Sequence, residues 1–290
     1  MEQKTAGGVR ARVRAEMIAE IKAAARRHLA TDGANLSLRA IARDMGMVSS
    51  ALYRYVASRD DLLTALIIDA YNEMGEVAEK ADASVDPGDP PERWMAVARA
   101  LRRWALTNPA EYALLYGTPV PGYAAPTDTT APATRPVLVL GAILSAAVSS
   151  GGSAAASGGS AGASDGSAAA SGGSAAASGS SAVSSGGSAA ASGVSAAASG
   201  SSAVSSGGSA AASGDDAGLG PALRAEIRGI ADLASPGVDD RTLVRGLIGW
   251  TMLFGALNFE LFGRIDNAID ERDEWFDVQM RAMVHYIGLR

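Results

Sequence analysis

The 290-residue chain contains no cysteine. That excludes disulfide staples, thiolate metal sites and cysteine nucleophiles, and it fits a reducing compartment such as the cytoplasm. Histidine is nearly as scarce: His28 lies on the apolar side of the first expected helix and His285 near the C-terminus. A zinc site would need carboxylate help, no metal-ligand motif supplies it, and packed or surface positions are expected for both rings. The longest uncharged run within an expected helix, residues 246–259, falls short of the roughly 20 residues that cross a bilayer, so no membrane contact is expected. The basic N-terminus is not followed by an apolar signal core. Walker and dinucleotide-binding glycine patterns and the nucleophile elbow are missing too. Glu111 beside Tyr112, and Asn258 near Glu260, could be drawn as acid–base groups, but a helix-surface or interface role suits each better. The expectation is a non-enzyme without metal or cofactor.

The charge is uneven. Of the 25 Lys and Arg and 31 Asp and Glu, residues 1–59 hold 11 of the former and 5 of the latter. A basic N-terminal unit on an acidic body is the pattern of a modular DNA binder, whose positive end meets phosphate.

Within that basic unit, residues 36–66 read as a helix-turn-helix with a third helix behind it. Ser37 caps a short helix with Leu38, Ile41, Ala42 and Met45 inward, and Gly46 stands where the turn wants positive φ. Ser49 is read as the cap of a second short helix that buries Leu52 and Val56 and leaves Ser50, Tyr53 and Arg54 or Tyr55 outward. Hydroxyls and a flat aromatic on a first turn can meet base edges in the major groove. Ser58-Arg59-Asp60-Asp61 resembles a capping box opening a long helix with Leu62, Leu63, Leu66 and Ile67.

These residues resemble the tetracycline-repressor (TetR/AcrR) family of transcriptional regulators: Ile41-Ala42, Gly46, Leu52-Tyr53, Val56 and Asp61-Leu62-Leu63 follow its pattern over roughly residues 15–68. The resemblance implies DNA binding, with base contacts from Ser49, Ser50 and Tyr53 and phosphate contacts from Ser37, Arg39, Tyr55 and Arg59. Trp250 to Gly255, followed by Phe259-Glu260-Leu261, is similar to the tryptophan-histidine-glycine subtype of the family's regulatory domain. Phe254 stands where that subtype carries histidine. The likeness further implies that the last two long helices form a four-helix dimer interface, with Gly246, Gly249 and Gly255 allowing close approach and Trp275, Met280 and Met283 supplying apolar area.

The remainder reads as helices. The first spans about residues 13–32, preceded by Arg10, Arg12 and Arg14 as a flexible basic arm or a solvated charge run. The long helix runs from Arg59 to about Ala83. Trp94, Val97, Leu101 and Trp104 share a stripe, and Asn108-Pro109 starts the next helix. Residues 117–135 read as a loop, and an apolar helix covers 135–148. Residues 151–214 hold nine consecutive seven-residue units such as GGSAAAS. They have no large apolar residue for a coiled-coil seam and many glycines, each costing a helix about 1 kcal/mol. A disordered low-complexity insert is expected. Leu219, Leu223, Ile227, Ile230 and Leu233 restore helical spacing, then come the apolar helix opened by Asp239 or Asp240 and a last helix from near Glu271.

The fold class expected is all-α, with a DNA-binding domain at 1–58, a regulatory domain at 59–150 and 215–290, and the insert between its parts. The function expected is a cytoplasmic homodimeric repressor on a palindromic DNA operator. A small apolar effector would sit among Trp104, Tyr112, Leu115, Tyr116, Trp250 and Phe254, an apolar set with a few polar tips. The rival readings are a helical interaction module and a small-molecule enzyme with a vestigial helix-turn-helix.

Overall fold

The computed structural model describes residues 2–157 and 219–290. Among the described residues the regular structure is ten α-helices and one 3₁₀ turn, Thr127–Thr129, with no strand. In chain order the helices are α1 Glu2–Asp32, α2 Leu38–Asp44, α3 Ser49–Leu52, α4 Arg59–Ala83, α5 Pro90–Thr107, α6 Pro109–Tyr116, α7 Thr130–Ser157, α8 Pro221–Ala234, α9 Asp240–Leu261 and α10 Arg272–Ile287. The chain is all-α, as its sequence implied. α7 runs one unit into the seven-residue repeat, and the rest of the insert lies outside the described residues.

Apolar spacing sorts these helices into two main cores. In the head, Ile21, Ala25 and Leu29 of α1 meet Leu38 and Ile41 of α2, Leu52 of α3, and Leu62, Leu63 and Leu66 of α4. Each of the leucines that is fully buried contributes about 2 kcal/mol by leaving water. In the body, α4 continues through Ile67, Ala70, Met74 and Ala78 against Trp94, Val97 and Leu101 of α5, Ile143 of α7, Leu253 and Leu257 of α9, and Phe276 and Met280 of α10. One 25-residue helix thus belongs to both cores.

The ends of α4 and α9 follow from local chemistry. The Ser58 hydroxyl accepts from the Asp61 amide at 3.0 Å, and the Asp239 carboxylate accepts from the Thr242 amide at 2.9 Å. Each satisfies an amide that the first helical turn leaves without a partner. Asn108-Pro109 starts α6 as expected, but the Asn108 side-chain amide donates to the Trp104 carbonyl at 2.9 Å and closes α5, so α6 begins on Pro109 without a side-chain cap.

Two stretches, Thr127–Ser149 and Asp240–Leu261, are long and apolar enough by composition to cross a membrane. Both put side chains into the body: Leu140, Ile143 and Leu144 from the first, Leu253, Phe254 and Leu257 from the second. Close approach holds them there. A methyl group on Gly246 would run into Leu144, and one on Gly141 into the Ala234 carbonyl and Ser235 Oγ. Gly249 is likewise shut in by Ile287 and Trp94. Gly246 and Gly249 therefore serve packing within the subunit, not the dimer face expected of them.

Candidate nucleic-acid interface

The outer surface of the head is set by three short segments. Ser37 Oγ accepts from the Ala40 amide at 3.3 Å and starts α2, leaving Arg39 exposed. The chain then turns through Gly46 at φ 67°, and the Met47 amide reaches back to the Ala42 carbonyl at 2.8 Å. That left-handed backbone is one glycine adopts without strain. Val48, extended, precedes α3, so Ser49 is the first helical residue and not its cap. α3 lasts only to Leu52; Tyr53 and Tyr55 follow in a turn whose amides return to the Ser49 and Leu52 carbonyls. Leu52 and Val56 face the core, which leaves Ser50, Tyr53 and Arg54 exposed.

Four of the seven expected DNA contacts line one open concavity of about 440 Å³: Ser37, Arg39, Tyr53 and Arg59. Hydroxyl and guanidinium donors on a shared concave surface are suited to phosphate oxygens. Ser49, half-buried, and Ser50 stand on the neighbouring turn of α3. Tyr55 is different. It packs on the head core, and the Arg14 guanidinium sits 5.5 Å over its ring while donating to the Arg54 carbonyl at 2.9 Å. Arg10, Arg12 and Arg14 are therefore turns of α1 rather than a flexible arm, and Arg14 clamps the turn after α3. Arg59 is also partly engaged, donating to the Ala34 carbonyl at 2.7 Å and to Asp60 at 3.3 Å. Some of its five N–H donors remain for a phosphate.

Charge pairs fasten this head to the body. Lys22 meets Asp69 at 2.6 Å, and Arg26 reaches Glu73 at 2.6 Å and Glu111 of α6 at 3.9 Å. Glu111 is thus an anchor between helices.

A family model described as the C-terminal domain of tetracycline-repressor-like proteins matches residues 94–283. The chain belongs to the tetracycline-repressor family. It is similar to the HTH-type transcriptional regulators Rv1816 and MT1864 of Mycobacterium tuberculosis (strains H37Rv and CDC 1551) and Mb1846 of Mycobacterium bovis, at 49% identity over 146 residues in each case. The match covers 50% of this chain and spans 62% of the length of those curated relatives. A solved structure of a regulatory protein, SCO4313, superposes with a TM-score of 0.58 at 27% identity, covering 94% of this chain and 98% of that one.

In the body of this tetracycline-repressor family member, four of the six expected effector-site residues stack together. Ring centroids lie 5.1 Å apart for Tyr112 and Tyr116, 4.4 Å for Tyr116 and Phe254, and 4.4 Å for Trp250 and Phe254. Leu115 is buried in the same core. Trp104 is not among the stacked rings and lines a separate groove. Tyr71 joins edge-on at 6.3 Å from Tyr116, from α4, a helix that reads in sequence as a connector. Its spacing with Ile67, Met74 and Ala78 was the available signal. The Tyr112 hydroxyl donates to Asn258 Oδ1 at 3.1 Å, which gives that asparagine a structural partner. Burial pushes the Tyr71 hydroxyl up to about 12, and raises those of Tyr112 and Tyr116 as well. These phenols therefore stay neutral donors near pH 7.

The last two helices carry apolar side chains outward. Ile248, Met252 and Phe259 of α9, Phe262 just after it, and Trp275, Val278 and Tyr286 of α10 are all exposed. Gly255, on the same helix as Phe259, meets nothing within 4 Å of where a Cβ would stand. Met280, expected on this face, is fully buried in its own core beside Phe276 and Val284. Met283 is half-buried against that core.

Proposed function

We propose that this chain is a cytoplasmic, non-catalytic transcriptional regulator, a repressor that grips a near-palindromic DNA operator as a homodimer. Residues 1–58 are the DNA-binding domain, and residues 59–150 with 215–290 the regulatory and dimerisation domain. The observation that carries the reading is the exposed set Ser37, Arg39, Ser50 and Tyr53 on one surface of a basic head. Ser49, Ser50 and Tyr53 read bases; Ser37, Arg39, Tyr55 and Arg59 fix the phosphates and hence the register. The names of the curated relatives, HTH-type transcriptional regulators, support the same conclusion.

Dimerisation uses the outward face of α9 and α10, where Phe259 and Trp275 lead a row of exposed apolar side chains. Each recognition helix enters one of two successive major grooves about one helical turn apart. A small, neutral, apolar effector enters the body at the aromatic cluster of Tyr112, Leu115, Tyr116, Trp250 and Phe254. It favours the geometry that no longer fits the groove spacing, and it shifts the population only by its preference for that geometry.

Selection of bound fragments from random duplex DNA tests the reading. The expected result is a two-fold-symmetric consensus whose affinity falls steeply with salt. Recovery of no consensus at low salt would overturn it.

A further inference from the structure

A second groove, on the outer side of the body, is built unlike the aromatic cluster. It lies between α4 and α5, has a volume of about 420 Å³, and falls in the size range of small-molecule sites, roughly 300–1,000 Å³. Val77, Lys80 and Ala81 of α4 line one wall and Ala100, Arg103 and Trp104 of α5 the other. The spacing of three and four residues on each helix brings these side chains onto facing stripes.

Its chemistry is divided. Val77, Ala81, Ala100 and Trp104 are apolar, and the two alanines leave room that longer side chains would fill. Lys80 and Arg103, both exposed, supply two positive charges. No carboxylate among the described residues lies within ion-pair distance of Arg103, whereas Lys80 pairs only with Glu76 one helical turn away, an exposed contact of little worth. The Trp104 indole N–H is buried and has no partner. A buried donor without an acceptor is unfavourable.

We propose that this groove binds a small amphipathic carboxylate. The carboxylate pairs with Arg103 and Lys80, and the hydrocarbon lies over Val77, Ala81 and Ala100 against Trp104. The site is independent of the aromatic cluster and of DNA binding, so it stands or falls apart from the repressor reading.

Octanoate titrated into the full chain, followed by calorimetry and by tryptophan fluorescence, tests the site, with octanol as the uncharged control. Octanoate binds with one-to-one stoichiometry and octanol at least about tenfold more weakly, since a charged hydrogen bond is worth that much. Arg103→Met and Lys80→Met each weaken octanoate by about tenfold without changing octanol, and Ala81→Leu, which fills the groove, weakens both. Phe254→Leu leaves octanoate binding intact. The melting curve of each variant checks that it is folded. The proposal is overturned by no binding at millimolar octanoate, by equal affinity for octanol, or by octanoate binding that survives the three groove substitutions or is lost in Phe254→Leu.

Discussion

Arg102 grips Glu260 with two parallel bonds, Nε to Oε2 and Nη2 to Oε1, each 2.7 Å long. The pair joins α5 to the end of α9, and the same guanidinium lies 5.2 Å over the Phe276 ring and bonds Asp273 at 2.7 Å. Glu260 is buried, so removing it leaves a largely enclosed cation with only an exposed partner. Glu260→Ala is expected to cost about 3 kcal/mol in urea denaturation, in the range for breaking a buried pair. Glu260→Gln, which keeps the shape and one acceptor, should cost less.

Glycine substitutions separate inner from outer contacts. Gly141→Ala drives a methyl into the Ala234 carbonyl, a backbone atom with nowhere to go, and should lower stability by about 2 kcal/mol. Gly255→Ala meets open space in the isolated subunit. Its expected effect in denaturation of dilute protein is slight, and any defect should appear instead in association.

The exposed apolar face of α9 and α10 lets the proposed association be tested apart from folding. Phe259 is 58% exposed, so Phe259→Glu should leave helix content and the monomer's core unchanged. Sedimentation velocity is expected to show a dimer for the parent and a monomer for the variant. An intact dimer would place the interface elsewhere.

On the head, Tyr53 is 49% exposed and Arg39 is exposed as well. Tyr53→Ala should keep the melting temperature and lose about tenfold or more in operator affinity, with the preference relaxed at the bases it meets. Arg39→Ala should weaken all sequences alike and reduce the steepness of the salt dependence by about one unit of logarithmic slope. Fluorescence anisotropy across a salt series distinguishes the two.

Acid should loosen the α5–α10 contact. Arg99 holds Asp277 by Nε to Oδ1 at 2.9 Å and Nη2 to Oδ2 at 2.6 Å, which keeps that carboxyl below its usual range. A carboxyl with a lowered folded pKa adds stability that is complete above its unfolded value, about 3.9, and is lost as pH falls through the folded one. Asp277→Asn is therefore expected to lose about 1 kcal/mol near pH 7, a figure reduced for solvent screening, and to lose nothing further from this pair below about pH 4. Melting curves from pH 3 to pH 7 give the comparison.

Legibility followed the range of the interaction. Ser37, Ser58 and Gly46 could be read from sequence because a cap or a left-handed turn is decided within four residues. Ser49 misled because the extended residue before α3 is Val48, a shift of one position that no side-chain preference marks. Helical spacing groups Phe276, Met280 and Val284 on one stripe of α10 and leaves Trp275 and Val278 off it. It does not say which stripe meets its own body, and Met280, outward by family likeness, is fully buried. The aromatic cluster needed three helices to converge, and only Tyr112 with Tyr116 and Trp250 with Phe254 are spaced to be seen on one helix. The remaining units of the repeat lie outside the described residues.

The 25 residues of α4 belong to both cores, with Ser58 capping the end that holds the head. At 1.5 Å per residue the helix is about 37 Å long, a rigid lever whose far half is fixed in the body core by its own Tyr71, Met74 and Ala78. A pivot of only about 5° at that far end carries the near end through about 3 Å, close to the 3.4 Å step between successive bases. Displacements too small to open either core are therefore large enough to put a reading head out of register by one base pair.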